Sequence, residues 1–125
     1  MNLNQVTVGC LDVGASVAFY RTLGLKLIVL DAHYARFECP DGDATFSVHK
    51  ADELAPGAGP LVYFECEDLD ARVRELAARG IRIDAEPRDQ PWLWREAYLR
   101  DPAGNRICLY LAGKNRKNPP WRIDP

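Results

Sequence analysis

This chain of 125 residues predicts an α+β fold made of two β-α-β-β-β modules, and three observations carry the prediction. First, the chain resembles itself. Val6-Thr7-Val8-Gly9-Cys10-Leu11-Asp12-Val13 matches Val62-Tyr63-Phe64-Glu65-Cys66-Glu67-Asp68-Leu69, and the same offset carries Ala15 onto Ala71, Val17 onto Val73, Gly24 onto Gly80 and Leu27 onto Ile83. Second, each copy switches its apolar period from two to about 3.6 and back, the pattern of strand, helix and strand. Third, a Pro- and Gly-rich stretch, Leu54-Ala55-Pro56-Gly57-Ala58-Gly59-Pro60, lies between the copies.

In the first copy Val6 and Val8 alternate with Gln5, Thr7 and Gly9, which makes a strand, and Asp12 follows as an N-cap. A helix is expected over Val13 to Leu23, with Val13, Val17 and Tyr20 on one face and Gly24 as its left-handed stop. The second copy repeats the plan, with Asp68 or Asp70 as cap, Leu69, Val73, Leu76 and Ala77 as the apolar stripe, and Gly80 as stop. Three further strands follow each helix, at about 25–30, 33–39 and 44–49, then at about 81–85, 94–100 and 106–111. Asp41-Gly42 and Asp101-Pro102-Ala103-Gly104-Asn105 supply turns before the last strand of each copy.

One such unit is too small to be stable alone, so residues 1–112 are expected to form one domain of two paired modules, about 1–53 and 60–112, with a linker at 54–59 and a tail at 113–125. With 47% hydrophobic and 27% charged residues, the composition excludes a disordered or fibrous chain. The net charge of −2 supplies no basic field for nucleic acid or an anionic membrane, and no apolar run approaches the roughly 18 residues of a membrane span. Cys10, Cys39, Cys66 and Cys108 lack the tight spacing of a disulfide framework and read as reduced thiols. The start of the chain lacks the pattern of a signal peptide, and a cytoplasmic location is expected.

The more uniformly apolar strand face (Val6, Val8, Phe46, Val48, Val62, Phe64, Ala97, Leu99, Ile107 and Leu109) should lie under the helices. The opposite face collects Gln5, Thr7, Ser47, His49, Leu61, Tyr63, Glu65, Trp94, Glu96, Tyr98, Cys108 and Tyr110. A plain solvated face needs no such concentration of aromatic rings and carboxylates, so this surface is read as a ligand pocket. Trp92-Leu93-Trp94-Arg95-Glu96-Ala97-Tyr98 would provide a stacking wall, with Glu96 placed for a cationic or hydroxyl group. His49, in line with Ser47, is expected to hydrogen-bond ligand or a tyrosine, whereas His33 reads as a surface residue. Cys10 and Cys66 read as small core residues. Trp121, in a basic and Pro-rich tail, is costly to leave in water and is expected to dock on this chain or on a partner subunit.

The duplicated plan, the segment Asp12-Val13-Gly14-Ala15-Ser16-Val17-Ala18-Phe19-Tyr20 leading to Leu23-Gly24-Leu25, and Arg100-Asp101-Pro102-Ala103-Gly104-Asn105-Arg106 resemble the vicinal oxygen chelate superfamily of glyoxalases, bleomycin resistance proteins and extradiol dioxygenases. The resemblance implies a cupped, mostly antiparallel eight-stranded sheet with helices outside, and a homodimer. In enzymes of the superfamily a divalent metal is held by side chains, usually His or Glu, from the first and last strands of each module. Those places correspond here to Gln5, Ser47, Leu61 and Cys108. Leu61 offers no donor and Gln5 and Ser47 are poor ligands, so this metal site is expected to be degenerate and no cofactor is expected.

The function expected from these residues is binding of a small, aromatic or cationic molecule in the cup by His49, Tyr63, Glu65, Trp94, Glu96, Tyr98, Cys108 and Tyr110, gripped from both halves. The alternative is a metal-dependent lyase, isomerase or dioxygenase with a displaced divalent-metal site around His49, Glu65 and Cys108. A third reading, a subunit whose main work is assembly, rests on the Trp121 tail alone.

Overall fold

The computed structural model describes residues 1–55 and 59–123, so the middle of the expected linker and the last two tail residues lie outside the described residues. The elements run β1 (Gln5–Cys10), α1 (Val13–Leu23), β2 (Lys26–Leu30), β3 (Tyr34–Glu38), β4 (Thr45–Lys50), β5 (Val62–Glu65), α2 (Leu69–Ala78), β6 (Ile83–Asp89), β7 (Arg95–Arg100) and β8 (Arg106–Leu111), with a 3-10 turn at Gly113–Arg116. The α+β class and the β-α-β-β-β order of both copies are as the sequence predicts. The eight strands are hydrogen-bonded as two four-stranded sheets, ordered β1-β4-β3-β2 and β5-β8-β7-β6. The chain folds as two compact units, Met1–Pro60 with Arg100–Asn105, and Leu61–Leu99 with Arg106–Pro125.

In the first unit β1 runs parallel to β4, and β2, β3 and β4 are antiparallel neighbours. The helix starts where predicted, because the Asp12 carboxylate accepts the Ala15 N–H at 3.0 Å. It stops at Gly24, whose φ of 112° lets the Leu25 N–H turn back to the Tyr20 carbonyl at 3.0 Å. Tyr20, Phe37 and Phe46 form the centre of the core, with the Tyr20 ring 4.6 Å from Phe46 and 5.7 Å from Phe37. Val8, Val48 and Ala35 complete the buried face, and Thr7, Ser47, Tyr34 and Arg36 take the other side by strand alternation.

In the second unit β5 runs parallel to β8 and β6 antiparallel to β7. Helix α2 buries Leu69, Val73 and Leu76 over β6 and β8, while Ala77, expected in that stripe, is exposed. Asp68 takes the N-cap position without a side-chain cap, and Asp70 instead binds Arg95. Strand β6 extends to Asp89, past the expected end at 85. Pro87 signals a break within a central strand, yet β6 is an edge strand with irregular register between Ala85 and Arg88, where a missing N–H is tolerated.

Cys10 is fully buried as expected, whereas Cys66 falls just beyond β5 and is half-buried. All four cysteines are free thiols, and His33 is exposed. Among the described residues no helix is long and apolar enough to cross a membrane.

Candidate functional site

In the second unit, alternation along β7 sends Ala97 and Leu99 into the core and Trp94, Glu96 and Tyr98 to the opposite side. Arg95 points away from Glu96 and is held by Asp70 of α2 and Asp89 of β6 at 3.0–3.2 Å. The Trp94 and Tyr110 rings stack with centroids 4.8 Å apart, and Tyr63 meets both edge-on, at 5.9 Å from Trp94 and 5.5 Å from Tyr110. This edge-and-face set is the arrangement that aromatic quadrupoles favour, and it leaves Tyr63 44% exposed.

Glu96 is only 2% exposed. Its carboxylate accepts from the Tyr98 hydroxyl at 2.7 Å and from Trp92 Nε1 at 3.1 Å, both neutral donors, and among the described residues it makes no ion pair. Burial, and then the bond to Glu96, push the Tyr98 hydroxyl well above its ordinary range. Burial, followed by the Glu96 charge, pushes the Cys108 thiol up to about 12. Both groups are neutral donors at pH 7.

Glu65 is used differently from the expectation. Its Oε2 accepts the backbone N–H groups of Ala112 and Gly113, each at 2.9 Å, and so holds the start of the terminal 3-10 turn. The turn in turn presents the Asn115 carbonyl to Trp94 Nε1 at 3.4 Å. The tail is therefore folded over 113–116; of the two docking places expected for Trp121, its own chain and a partner subunit, the first leaves it 56% exposed.

In the first unit Gln5, Thr45 and Ser47 are joined by hydrogen bonds: Thr45 Oγ1 donates to Gln5 Oε1, and Gln5 Nε2 donates to Ser47 Oγ at 2.5 Å. Ser47 is fully buried and lies 2.6 Å from the Tyr34 hydroxyl, which also accepts from Arg36 Nε at 2.8 Å. His49, exposed, has its ring 6.3 Å from that of Tyr34. Tyr34 and Arg36 were missed by the sequence reading. The signal was present in the alternation Tyr34-Ala35-Arg36-Phe37, whose register opposite His49, Val48, Ser47 and Phe46 puts both polar residues on the Ser47 side.

Of the four places that the resemblance assigns to metal ligands, Leu61 has no donor atom, Gln5 is engaged at both ends of its amide, Ser47 is engaged in turn, and Cys108 is fully buried. Among the described residues no three His, Cys, Asp or Glu side chains gather to hold a metal.

A cavity of about 480 Å³ also lies in the first unit, against Gly9, Leu11, Leu54 and Asn105. The Asn105 amide is already taken by the Gly9 carbonyl and Asp101, and Leu54 fills the space where Gly9 would carry a Cβ.

Two duplicated units, each with a helix on one sheet face and a polar or aromatic set on the other, define the vicinal oxygen chelate class of fold. The chain belongs to the glyoxalase/bleomycin resistance protein/dioxygenase superfamily, whose sequence model matches residues 2–109. It is 28% identical over 127 residues to the uncharacterized protein YraH of Bacillus subtilis (strain 168), covering 88% of this chain and 98% of that one. A glyoxalase/bleomycin resistance protein/dioxygenase from Nocardioides superposes with a TM-score of 0.74 at 25% identity, over 99% of this chain and 90% of the other. A bleomycin-binding protein complexed with bleomycin superposes with a TM-score of 0.73 at 24% identity, over 89% and 98% of the two chains.

Proposed function

We propose that this protein binds a small, flat, aromatic or cationic molecule without metal chemistry, with Trp94, Tyr110 and Tyr63 as the stacking wall and Glu96 as the charged contact. The observation that carries the reading is the Glu96 carboxylate, buried with neutral donors alone beside a stacked Trp–Tyr pair. A buried charge of this kind costs several kcal/mol, which an incoming cation offsets. The donor chemistry of Gln5, Ser47, Leu61 and Cys108 supports the metal-free part, and the bleomycin-binding neighbour supports the ligand class by analogy of fold. Of the residues first expected at the ligand, Tyr98 donates to Glu96, Cys108 feels the Glu96 charge, Glu65 supports the wall through the tail, and His49 belongs to the other sheet.

The test is a thermal-shift screen of flat aromatic and cationic compounds, followed by titration of wild type, Trp94→Ala, Glu96→Gln and His49→Ala. Loss of stacking and apolar burial in Trp94→Ala should cost about 1–3 kcal/mol, roughly 5–150-fold in affinity. Binding within twofold of wild type in both Trp94→Ala and Glu96→Gln would remove the wall from the site. Metal analysis checks the other half. Near one equivalent of zinc, nickel, manganese or iron per chain, lost in His49→Ala or Cys108→Ser, would favour the enzymatic alternative instead.

The same reading includes a cytoplasmic homodimer that binds neither nucleic acid nor membrane. Strand β2 is a sheet edge with Ile28, Val29 and Leu30 all exposed, which favours a covered edge. Light scattering at micromolar concentration should return about twice the 14.1 kDa chain mass; the chain mass itself would refute the dimer.

A further inference from the structure

We propose that the first unit carries a site for an oxyanion, a small carboxylate, formed by the Tyr34 hydroxyl and the Arg36 guanidinium on the side of the sheet away from α1. The argument follows the hydrogens. Thr45 donates to Gln5 Oε1, which turns the Gln5 amide so that Nε2 donates to Ser47 Oγ. Ser47 is fully buried, so its own hydrogen must go to a protein acceptor, and the acceptor in reach is the Tyr34 oxygen at 2.6 Å. Arg36 Nε donates to that same oxygen at 2.8 Å. Both lone pairs of the Tyr34 oxygen are then filled, and its O–H is left to donate outward from a half-buried phenol.

Arg36 is anchored in the same way at one end only. Its Nε is bound, its guanidinium carbon lies 5.3 Å from the Tyr34 ring centre, and it takes part in no ion pair among the described residues. The four Nη–H donors of an exposed guanidinium are thereby oriented but unspent. A fixed O–H beside a fixed cationic fork contains donors alone, and the group that satisfies both is a planar oxyanion. The charged and titratable groups around it are Arg36 on β3, His49 on β4, Asp31 before β3, and Glu38 on the same face of β3, which is paired with Lys26 of β2 at 3.9 Å, while β1 contributes the neutral Gln5 and Thr7. The buried relay from Gln5 and Ser47 sets the direction of the Tyr34 proton, so these two are positioning residues. All of these residues belong to the first unit.

The experiment uses benzoate as probe on the full chain, with neutral benzamide as its isostere, at constant ionic strength. Binding is read from NMR shifts of the Arg36 Nε–H and Tyr34 ring signals and by calorimetry. Benzoate should bind and benzamide should not. Arg36→Met should weaken benzoate at least tenfold and Tyr34→Phe roughly three- to tenfold, whereas Arg82→Met, an exposed arginine of the second unit, should change nothing. Ser47→Ala should weaken benzoate and broaden the Arg36 signal, a change that simple loss of surface charge would not produce. Thermal unfolding of each variant confirms that it is folded. No shift up to about 10 mM benzoate, equal binding of benzamide, or unchanged affinity in Arg36→Met would each overturn the proposal.

Discussion

Tyr20, fully buried on α1, donates a 2.6 Å hydrogen bond to Oδ2 of Asp101, in the turn between β7 and β8. Asp101 is itself 5% exposed, and its carboxylate accepts from the Ala103 and Asn105 N–H groups and from the Asn105 amide, at 2.8–2.9 Å. Four donors thus converge on one buried carboxylate and neutralise the cost of burying it. The Asp-Pro-Ala-Gly-Asn segment is more than a hairpin turn. It is a structural part of the first unit, and Asn105 adds a 2.7 Å bond to the Gly9 carbonyl at the end of β1.

Tyr20→Phe removes one of these four donors without changing ring volume. It should destabilise the protein by about 1–3 kcal/mol, the range for leaving a buried acceptor short of a partner. Chemical denaturation with an unchanged m-value checks this, and a loss below about 0.5 kcal/mol would show that water replaces the phenol.

Leu93 has a φ of 66°, the left-handed conformation that a leucine rarely adopts, in the short connection from β6 to β7. The Gln90 N–H meets the Trp94 carbonyl at 2.8 Å, which closes a three-residue loop whose last position ordinarily takes Gly or Asn. The leucine is 48% exposed and forgoes little burial when replaced. Leu93→Asn should therefore stabilise the chain by about 0.5–1 kcal/mol, visible as a higher thermal midpoint. Should Leu93 be strained in order to hold Trp92 Nε1 on Glu96, the same variant will weaken ligand binding while raising stability.

What was legible in the sequence, and what was not, follows from the range of the interactions. The α1 limits, Val13 to Leu23, are set by Asp12 and Gly24, both local signals, and they appear at the predicted residues. The two sheet faces were also readable, since period-two alternation decides them: Phe46 and Val48 are buried toward the core, and Trp94, Glu96 and Tyr98 share the other side. Glu65 could not be read in this way. Its carboxylate serves backbone groups at Ala112 and Gly113, a long-range contact with no local signature. Arg36 was hidden because β3 was predicted as a strand without its register against β4, and register alone sets it beside Ser47.

Cys108 is fully buried on β8, and its thiol is held protonated by burial and by the Glu96 charge. Alkylation needs the thiolate and access. With iodoacetamide at pH 8 the native protein should therefore label Cys39 and Cys66, both half-buried, well before Cys108, and all four cysteines should label in denaturant. Peptide mass spectrometry reads the order. Rapid labelling of Cys108 in the native state would mean that the region around Glu96 opens, and with it the case for a dry buried carboxylate would fall.

Tyr34 should be the first of the five tyrosines to ionise. The Ser47 hydrogen bond, then that of Arg36 and its charge, favour the phenolate and lower its pKa against the opposing effects of burial and Asp31. Burial raises Tyr20, Tyr63, Tyr98 and Tyr110 instead. Absorbance near 295 nm should accordingly show one tyrosine titrating below the usual value of about 10 and the rest above it. That first step should vanish in Tyr34→Phe and move upward in Arg36→Met and Ser47→Ala. The linkage has opposite signs in the two groups. For Tyr34, lowered in the folded state, the stabilisation develops as pH rises through its folded pKa and is full above the unfolded value near 10. For the four raised tyrosines the stabilisation is full below about 10 and is lost as pH rises toward their folded values, so alkaline unfolding belongs to them. Replacing Tyr34 by Phe should leave stability at pH 7 free of any ionisation effect while bringing the alkaline transition to lower pH. An alkaline midpoint unmoved by the substitution, or a first ionisation that survives it, would show that Ser47 and Arg36 do not converge on the Tyr34 oxygen in solution.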